Sequence, residues 1–247
     1  MANLKDPKAE ERDLELQKLF ESVPYETEMF VELPSKGRFY PSFTGVKVIP
    51  LLFEDEQKIL MSRNKNINPV NEILAKCVQG INISDLLAMD KLYLLMKIKE
   101  LSYGPEYKFS VICPACNVPT DSALLIEGIP INRVPDDLVD PREVTLPMLR
   151  VKAQIRFPRS SDEQYFNTTE NTINNLYRVV VSLNGNEDPI FISKAIKKMH
   201  IRDIKTIEKE VNRAEYGIST NFQFDCPSCK HSTTLAIPFD ANFFSVN

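Results

Sequence analysis

Four cysteines stand in two Cys-Pro-x-Cys motifs, one near the middle of the chain and one near its end: Cys113, Cys116, Cys226 and Cys229. Two thiolate pairs have the ligand number and type of a closed structural zinc site, in which Zn²⁺ is tetrahedral. The two-residue spacing lets both sulfurs of a knuckle face one ion, and the proline after the first cysteine fixes φ at the turn. The pattern therefore predicts one structural Zn²⁺ bound by all four thiolates.

Other interpretations of the cysteines remain open, namely rubredoxin-like iron, a redox-active dithiol pair, or no metal. A redox pair would favour a Cys-x-x-Cys at the N-terminus of a helix, whereas both pairs here follow strand-like runs, YKFSVI and NFQFD. The fifth cysteine, Cys77, lies in the apolar run ILAKCV and is expected to be a buried thiol. His231 is not expected to be a ligand, because four thiolates complete the set.

The two pairs are 110 positions apart, from Cys116 to Cys226 (226 − 116). This separation is far longer than the one between the cysteine pairs of a contiguous zinc ribbon. An offset of 113 positions (226 − 113) superimposes the cysteine motifs, and an offset of 107 (162 − 55) applies further upstream. Several other residues then coincide: Asp90 with Asp203, Tyr103-Gly104 with Tyr216-Gly217, and Asp55-Glu56-Gln57 with Asp162-Glu163-Gln164. The sequence thus predicts an internal duplication in which equivalent hairpins meet at one ion.

The predicted fold class is α+β, with two helix-plus-hairpin units joined by a zinc-ribbon-like four-cysteine site. The predicted organisation has four parts: 1–44 with an N-terminal helix (Asp13 to Val23) and the connector LPSKGRFYP, 45–128 as the first unit, 129–147 as a proline-rich linker, and 148–247 as the second unit with a C-terminal tail. The alternative is a coincidence between two helix-plus-knuckle segments of similar composition.

Local patterns agree with such units. Alternating apolar residues from Val151 to Phe157 predict a strand, and three-to-four spacing from Leu86 to Leu101 predicts a helix that Gly104 ends. The run Tyr177 to Leu183 is rich in β-branched residues, which favours a strand. Because it aligns with ILAKCV, we nevertheless predict a helix there.

Composition and charge exclude several protein classes. The chain has 247 residues, 43% hydrophobic and 26% charged, and a net charge of −4, which fits a globular protein with a real core. No basic run indicates binding to nucleic acid or anionic lipid. The charged start MANLKDPKAEERDLELQ does not resemble a signal peptide, no apolar stretch is long enough to span a membrane, and a reducing cytoplasm is expected.

Catalytic motifs are scarce. The chain has two histidines and seven glycines, with no phosphate-binding glycine-rich loop, GxSxG elbow or HExxH pair. A closed four-thiolate site also leaves no coordination position for a substrate. The sequence therefore predicts a binding or structural protein with no catalytic residues and no small-molecule substrate.

Several motifs together resemble the T4-type bacteriophage baseplate protein family, which contains a baseplate hub subunit and a hub assembly protein. The most specific are LPSKGRFYP and the stretch SYGPEYKFSVICPAC; FEDEQKIL, NEILAKCV, CPSC and IPFDANFF follow the same order. The resemblance covers residues from about Leu33 to Phe244. It implies a protein that works in the host cytoplasm, or in the virion baseplate, through contacts with other hub proteins.

A candidate partner surface lies in the connector, where Phe39 and Tyr40 stand outside the predicted units. The alternative is that these aromatics cover an edge of the first unit. A zinc-ribbon module that binds nucleic acid is the second functional hypothesis, although the acidic composition and the lack of a basic, aromatic-rich face weigh against it.

Overall fold

The computed structural model describes residues 7–21, 28–62, 69–166, 168–213, 215–238 and 243. These residues form seven α-helices: α1 (Pro7–Glu21), α2 (Phe53–Ser62), α3 (Pro69–Cys77), α4 (Ala88–Tyr103), α5 (Thr169–Asn175), α6 (Pro189–Ile196) and α7 (Ile201–Val211). The strands are β1 (Met29–Val31), β2 (Val46–Val48), β3 (Val78–Gln79), β4 (Glu106–Ile112), β5 (Pro119–Leu125), β6 (Ile131–Asn132), β7 (Arg142–Thr145), β8 (Lys152–Ile155), β9 (Val180–Leu183), β10 (Gly217–Ile218), β11 (Asn221–Asp225) and β12 (Ser232–Ala236). The mixture of helices and small sheets confirms the predicted α+β class.

Two three-stranded antiparallel sheets organise the molecule. The first has the order β1-β2-β3 and the second β7-β8-β9. Their registers correspond, since Met29 lies opposite Val48 in the first sheet and Arg142 lies opposite Ile155 in the second. Each sheet is followed in the chain by a helix, α4 or α7, and then by a hairpin, β4–β5 or β11–β12.

Each sheet packs against helices in its own apolar core. The core around the first sheet is the larger, and half of the residues of α4 are buried, including Leu94 and Ile98. The core of the second sheet joins β7–β9 to α6 and α7, with Ile155, Ile192 and Ile207 buried. Because α4 is covered on more sides than α7, its sequence has fewer charged residues than IRDIKTIEKEV.

The segment between the two regions is not a bare connector. Strand β6 pairs with β10 in a separate two-stranded sheet, where Ile131 lies opposite Ile218. Strand β7 belongs to the second sheet. Both β6 and β7 lie within the range 129–147 that the sequence predicts as a linker.

Most of the local expectations agree with the structure. Helix α4 ends at Tyr103, where Gly104 adopts φ +99°, and the predicted N-terminal helix is α1 as far as Glu21, with the rest of its predicted range outside the described residues. The helix predicted from Tyr177 to Leu183 is wrong over its second half, which is strand β9. Here β-branched residues that pair with β8 determine the conformation, as their propensity indicated.

No helix among the described residues is both long and apolar enough to cross a membrane.

Candidate metal centre

The two cysteine motifs occupy the turns of two antiparallel hairpins. The β4–β5 hairpin closes with Ile112 opposite Pro119, and the β11–β12 hairpin closes with Asp225 opposite Ser232. Each pairing leaves six residues at the turn, beginning with the first cysteine of the motif. The strands thus hold both knuckles at the same point of equivalent hairpins.

Matching hydrogen bonds shape the first knuckle and the second. In the first, the N–H of Cys113 donates to the carbonyl of Val118 at 3.1 Å, and the N–H of Asn117 donates to the carbonyl of Cys113 at 2.9 Å. In the second, Cys226 donates to the carbonyl of His231 at 3.0 Å, and the N–H of Lys230 donates to the carbonyl of Cys226 at 3.0 Å. The two turns therefore have the same backbone fold.

The residue after each second cysteine adopts a left-handed conformation. Asn117 has φ +57° and Lys230 has φ +61°. Asparagine tolerates this region, whereas lysine is strained in it by steric conflict between its Cβ and the backbone. The hydrogen bonds of the second knuckle thus hold Lys230 in a conformation that lysine disfavours.

The four sulfurs form a compact cluster made of cross-hairpin pairs. Cys113 Sγ lies 3.8 Å from Cys229 Sγ, and Cys116 Sγ lies 3.7 Å from Cys226 Sγ. All four sulfurs lie within 4.8 Å of one another. A tetrahedron with Zn–S bonds of about 2.3 Å has S···S edges of about 3.8 Å, whereas a disulfide requires about 2.05 Å. The cluster therefore has the dimensions of a tetrathiolate metal site.

Electrostatics at the cluster favour a cation. The backbone N–H of Cys229 has the largest influence on Cys226 and, with that of Ser228, outweighs burial and holds the pKa of Cys226 at about 6. At Cys116 the N–H of Val118 acts to lower the pKa, but burial and the other sulfurs raise it to about 12. Four thiolates at this spacing repel one another, so full ionisation needs a bound metal.

Apolar contacts hold the hairpins together beside the sulfurs. The rings of Phe109 and Phe222 meet edge to face, with centroids 5.1 Å apart and an interplanar angle of 81°. Phe224 is buried together with Cys113 and Cys226 in a small cluster under the knuckles. The hairpins thus present an apolar base and a sulfur-rich tip to each other.

Cys77 and His231 stand apart from the candidate metal ligands. Cys77 is fully buried at the end of α3, and burial raises the pKa of its thiol to about 12. His231 contributes its backbone carbonyl to the second knuckle. Among the described residues, the group that could hold a metal is the four paired cysteines.

Phe39 and Tyr40, the candidate partner residues, are engaged within the chain. The hydroxyl of buried Tyr40 donates to Asp90 Oδ2 at 2.6 Å, and it accepts from the N–H of Leu87 at 3.1 Å. The half-buried ring of Phe39 lies 5.9 Å from that of Phe157. These contacts favour the alternative in which the aromatics pack against the fold, and a partner role for the pair stays a prediction.

The Asp90–Tyr40 contact was not identified from the sequence. Its signal was the coincidence of Asp90 with Asp203, each at the third position of a helix. Burial raises the pKa of the Asp90 carboxyl, although hydrogen bonds from Ser35 and Tyr40 oppose that rise. The network therefore places a buried acid at the start of α4.

Comparison with known proteins identifies the family. A model of the T4 bacteriophage base plate protein family matches residues 25–245, which is nearly the whole chain. The chain belongs to this family, and the resemblance seen in its motifs is confirmed. Neither the curated proteins nor the solved structures searched contain a match.

Proposed function

We propose that this member of the base plate family is a hub assembly or structural protein in contractile tail morphogenesis, and that it acts through contacts with other hub proteins and without chemistry of its own. We further propose that it consists of two homologous units fastened by one Zn²⁺ ion. The observation that carries the proposal is the cross-hairpin cysteine cluster in a chain of a baseplate family.

Equivalent positions support the duplication. The offset of 113 positions that aligns the cysteines also aligns β1 with β7 and the β4–β5 register with that of β11–β12. The offset of 107 aligns Val48 with Ile155. These two residues lie opposite Met29 in the first sheet and Arg142 in the second. The elements follow in one order in both regions, as two copies of one unit would.

Contacts between equivalent residues support a pseudo-two-fold axis at the hairpins. Phe109 and Phe222 correspond under the offset and contact each other. The sulfur pair Cys113···Cys229 corresponds to Cys226···Cys116 when the copies are exchanged. Such reciprocal contacts are typical of a two-fold interface.

The proposed units begin earlier than the sequence patterns indicated. Strands β1 and β7 start at Met29 and Arg142, ahead of the boundaries predicted at residues 45 and 148. Leu33-Pro34 and Leu146-Pro147 follow these strands at the same offset. We therefore propose that the connector LPSKGRFYP is part of the first unit.

Zinc is the proposed cofactor because the site is built only of thiolates at tetrahedral spacing. Such a site is closed, so it would contribute stability rather than bind substrate. All four cysteines are proposed ligands, and the ion would supply the positive charge that the sulfur cluster requires. Its function would be to keep the two hairpins, and with them the two units, in one orientation.

The experiment that tests the function is affinity purification of the tagged chain from infected cells, together with mass spectrometry of purified virions. We expect co-purification with baseplate hub proteins in the host cytoplasm, and the virion data determine whether the protein stays in the particle. A Cys226→Ser variant serves as a control for the folded, metal-bound state. Recovery of nucleic acid without tail proteins would contradict the proposal.

The proposed partner role of Phe39 and Tyr40 needs a separate test, the double substitution Phe39→Ala with Tyr40→Ala. Loss of hub assembly at unchanged melting temperature and zinc content would support a partner site. A lower melting temperature with normal assembly would assign both side chains to packing, as their observed contacts favour.

A further inference from the structure

The N-terminal helix α1 presents an apolar face to solvent. Every residue from Glu11 to Glu21 is exposed, including Leu16 at 52% and Phe20 at 62%. Leu16 and Phe20 are four positions apart and therefore lie on one face of the helix. A helix of 15 residues is only marginally stable by itself in water. A surface that covers this apolar face would therefore stabilise α1.

An acidic stripe lies beside the apolar face of α1. Asp13 and Gln17 precede Leu16 and Phe20 by three positions, which makes them neighbours on the helix surface. Gln17 Nε2 donates to Glu21 Oε1 at 2.9 Å and continues the stripe by four more positions. From residue 11 to residue 21 the helix has four acidic and two basic residues, a net charge of −2 (2 − 4). A surface that fits α1 is therefore apolar with a basic edge.

Helix α7 has such a basic edge on its exposed side. Arg202, Lys205 and Lys209 are exposed and follow one another at spacings of three and four, so they form one stripe. Asp203 and Ile207, on the other side of α7, are buried. The stripe from Arg202 to Lys209 is about 10 Å long and that from Asp13 to Glu21 about 12 Å, at 1.5 Å per helical residue. The acidic and basic stripes thus match in length.

The end of α6 and the turn before α7 extend this basic surface. Between residues 194 and 209 six basic residues are exposed: Lys194, Lys197, Lys198, Arg202, Lys205 and Lys209. The acidic residues in the same range are Asp203, which is buried, and Glu208, which binds Lys205 at 2.6 Å. The surface is therefore strongly positive, although the whole chain has a net charge of −4.

Apolar side chains lie beside the basic stripe. Ile201, the first residue of α7, is 72% exposed and stands four positions before Lys205. Met148, in the β7–β8 turn, is 41% exposed, and its Sδ lies 3.8 Å from Arg202 Nη1. The surface thus combines exposed apolar area with positive charge, as the apolar and acidic face of α1 requires.

The equivalent face of α4 is covered by the chain itself. At the offset of 113 positions Arg202, Lys205 and Lys209 correspond to three apolar residues, Met89, Leu92 and Met96. Met96 is 2% exposed, and a Cβ at Gly217 in β10 would lie only 2.8 Å from Met89 Sδ. Strand β10 therefore packs on this face of α4, whereas the matching face of α7 is exposed and positive.

We propose that the α6–α7 surface binds helix α1 of a second copy of this chain. Leu16 and Phe20 pack on Ile201 and Met148, and the acidic stripe of α1 lies along Arg202, Lys205 and Lys209. The inference goes beyond the proposed function, because it concerns contact between copies of this chain and needs no other hub protein.

A second copy is the occupant that fits both surfaces. Within one chain the α1 face and the α7 face are both exposed, so neither covers the other. Two copies that exchange their α1 helices cover both faces at once. A nucleic acid fits less well, because the range 194–209 contains no Phe, Tyr or Trp on which bases could stack. The contact is smaller than a standard interface, so we expect micromolar association.

Sedimentation equilibrium of the full chain at rising concentration tests the contact. We expect reversible self-association that weakens at about 0.5 M salt, because the exposed charges are then screened. Leu16→Gln with Phe20→Gln, and separately Lys205→Glu with Lys209→Glu, should each raise the dissociation constant at least about tenfold. All four side chains are exposed, so neither double variant should lower the melting temperature or the zinc content.

Two control variants test the position of the contact. Leu14 is 52% exposed on α1 but lies away from the stripe of Leu16 and Phe20, so Leu14→Gln should leave the dissociation constant unchanged. Lys108→Glu reverses an exposed charge on β4 and should also leave it unchanged. If either control weakens association as much as the double variants do, the assigned surfaces are wrong.

A mixture of two charge-reversed chains tests the pairing of α1 with α7. Asp13→Lys with Glu21→Lys makes α1 basic, and Lys205→Glu with Lys209→Glu makes the outer face of α7 acidic. Each variant alone should be mainly monomeric because like charges meet, whereas the mixture should associate because opposite charges meet again at both contacts. A mixture that stays monomeric would refute the pairing, and so would a Lys205→Glu, Lys209→Glu chain that associates normally by itself.

Photo-crosslinking determines which chain supplies the helix. Benzoyl-phenylalanine replaces Phe20 in an isotope-labelled chain that is mixed with unlabelled chain. We expect crosslinks from the labelled α1 peptide to unlabelled peptides within residues 194–209. Crosslinks only within one labelled chain, a chain that is monomeric at every concentration, or a basic surface that binds DNA without self-association would overturn the inference. The proposed hub function would stand in each case, because recovery of hub proteins from infected cells tests it separately.

Discussion

The two regions of this protein are alike at the cysteine hairpins and different at the starts of their main helices. At the hairpins, both knuckles have the same hydrogen bonds and left-handed corner. At the helix starts, Tyr40 completes the network around Asp90, whereas Asp203 Oδ2 has no partner among the described residues. The two hairpins thus share their backbone geometry, whereas the two helix starts share a buried carboxylate and differ in what meets its second oxygen.

The largest expected effect is loss of the metal. Cys226→Ser should abolish zinc binding and lower the free energy of unfolding by several kcal/mol, because structural zinc sites contribute on the order of 10 kcal/mol. Zinc content and urea denaturation measure this. Cys77→Ala is the control and should retain one zinc per chain, since Cys77 lies in α3, away from the cluster. Full zinc content in the Cys226→Ser protein would contradict the assignment of Cys226 as a zinc ligand.

A smaller effect is expected at the start of α4. Tyr40→Phe removes the hydroxyl that satisfies Asp90 Oδ2 and should lower the free energy of unfolding by about 1–3 kcal/mol, the cost of leaving a buried polar group unpaired. Urea denaturation measures it, with zinc content as the control for the hairpins. An unchanged free energy of unfolding would contradict a stabilising role of the Tyr40 hydroxyl at the start of α4.

The packing between the hairpins should show a measurable coupling. A double-mutant cycle with Phe109→Leu and Phe222→Leu should give a coupling energy of about 0.5–1.5 kcal/mol, because the rings meet edge to face. A cycle with Phe109→Leu and Ile173→Ala is the control and should be additive. A coupling energy of zero would show that the contact between the two rings does not stabilise the hairpin interface.

The smallest effect concerns the knuckle corners. Lys230→Asn should raise the free energy of unfolding by about 0.5–1 kcal/mol, because asparagine tolerates the left-handed φ that Lys230 adopts. Asn117→Lys should lower it by a similar amount. Urea denaturation of both variants at full zinc occupancy measures these changes. If the two variants have the same free energy of unfolding, the left-handed conformation of Lys230 is not strained.

Local rules predicted the helix and hairpin elements well where residue type and spacing directly determine conformation. The end of α4 at Gly104 follows from the ability of glycine to adopt positive φ without steric cost, and the cysteine turns follow from their spacing. The predicted helix is wrong from Val180 to Leu183, because the β propensity of these residues determines their conformation and the alignment with ILAKCV does not. Pairing with β8 made that segment a strand.

The environment of Tyr40 could not be predicted because it depends on a contact across 50 positions with Asp90. The connector LPSKGRFYP has no hydrophobic periodicity that indicates which side chains are buried. Its aromatic residues are therefore equally compatible with an exposed and a buried position. The proposed correspondence of Leu33-Pro34 with Leu146-Pro147 uses the offset of the cysteines, but six additional residues follow in the first connection (48 − 29 against 155 − 142), so the offset changes to 107 before Val48. The register of the two sheets supports this correspondence.

The most direct test of the central claim is the zinc content of the purified chain together with X-ray absorption at the zinc edge. The account predicts one zinc per chain, bound by four sulfurs at about 2.3 Å. A well-folded preparation without zinc, with iron in its place, or with fewer than four sulfur ligands would contradict the claim that all four cysteines fasten the two hairpins through one zinc ion.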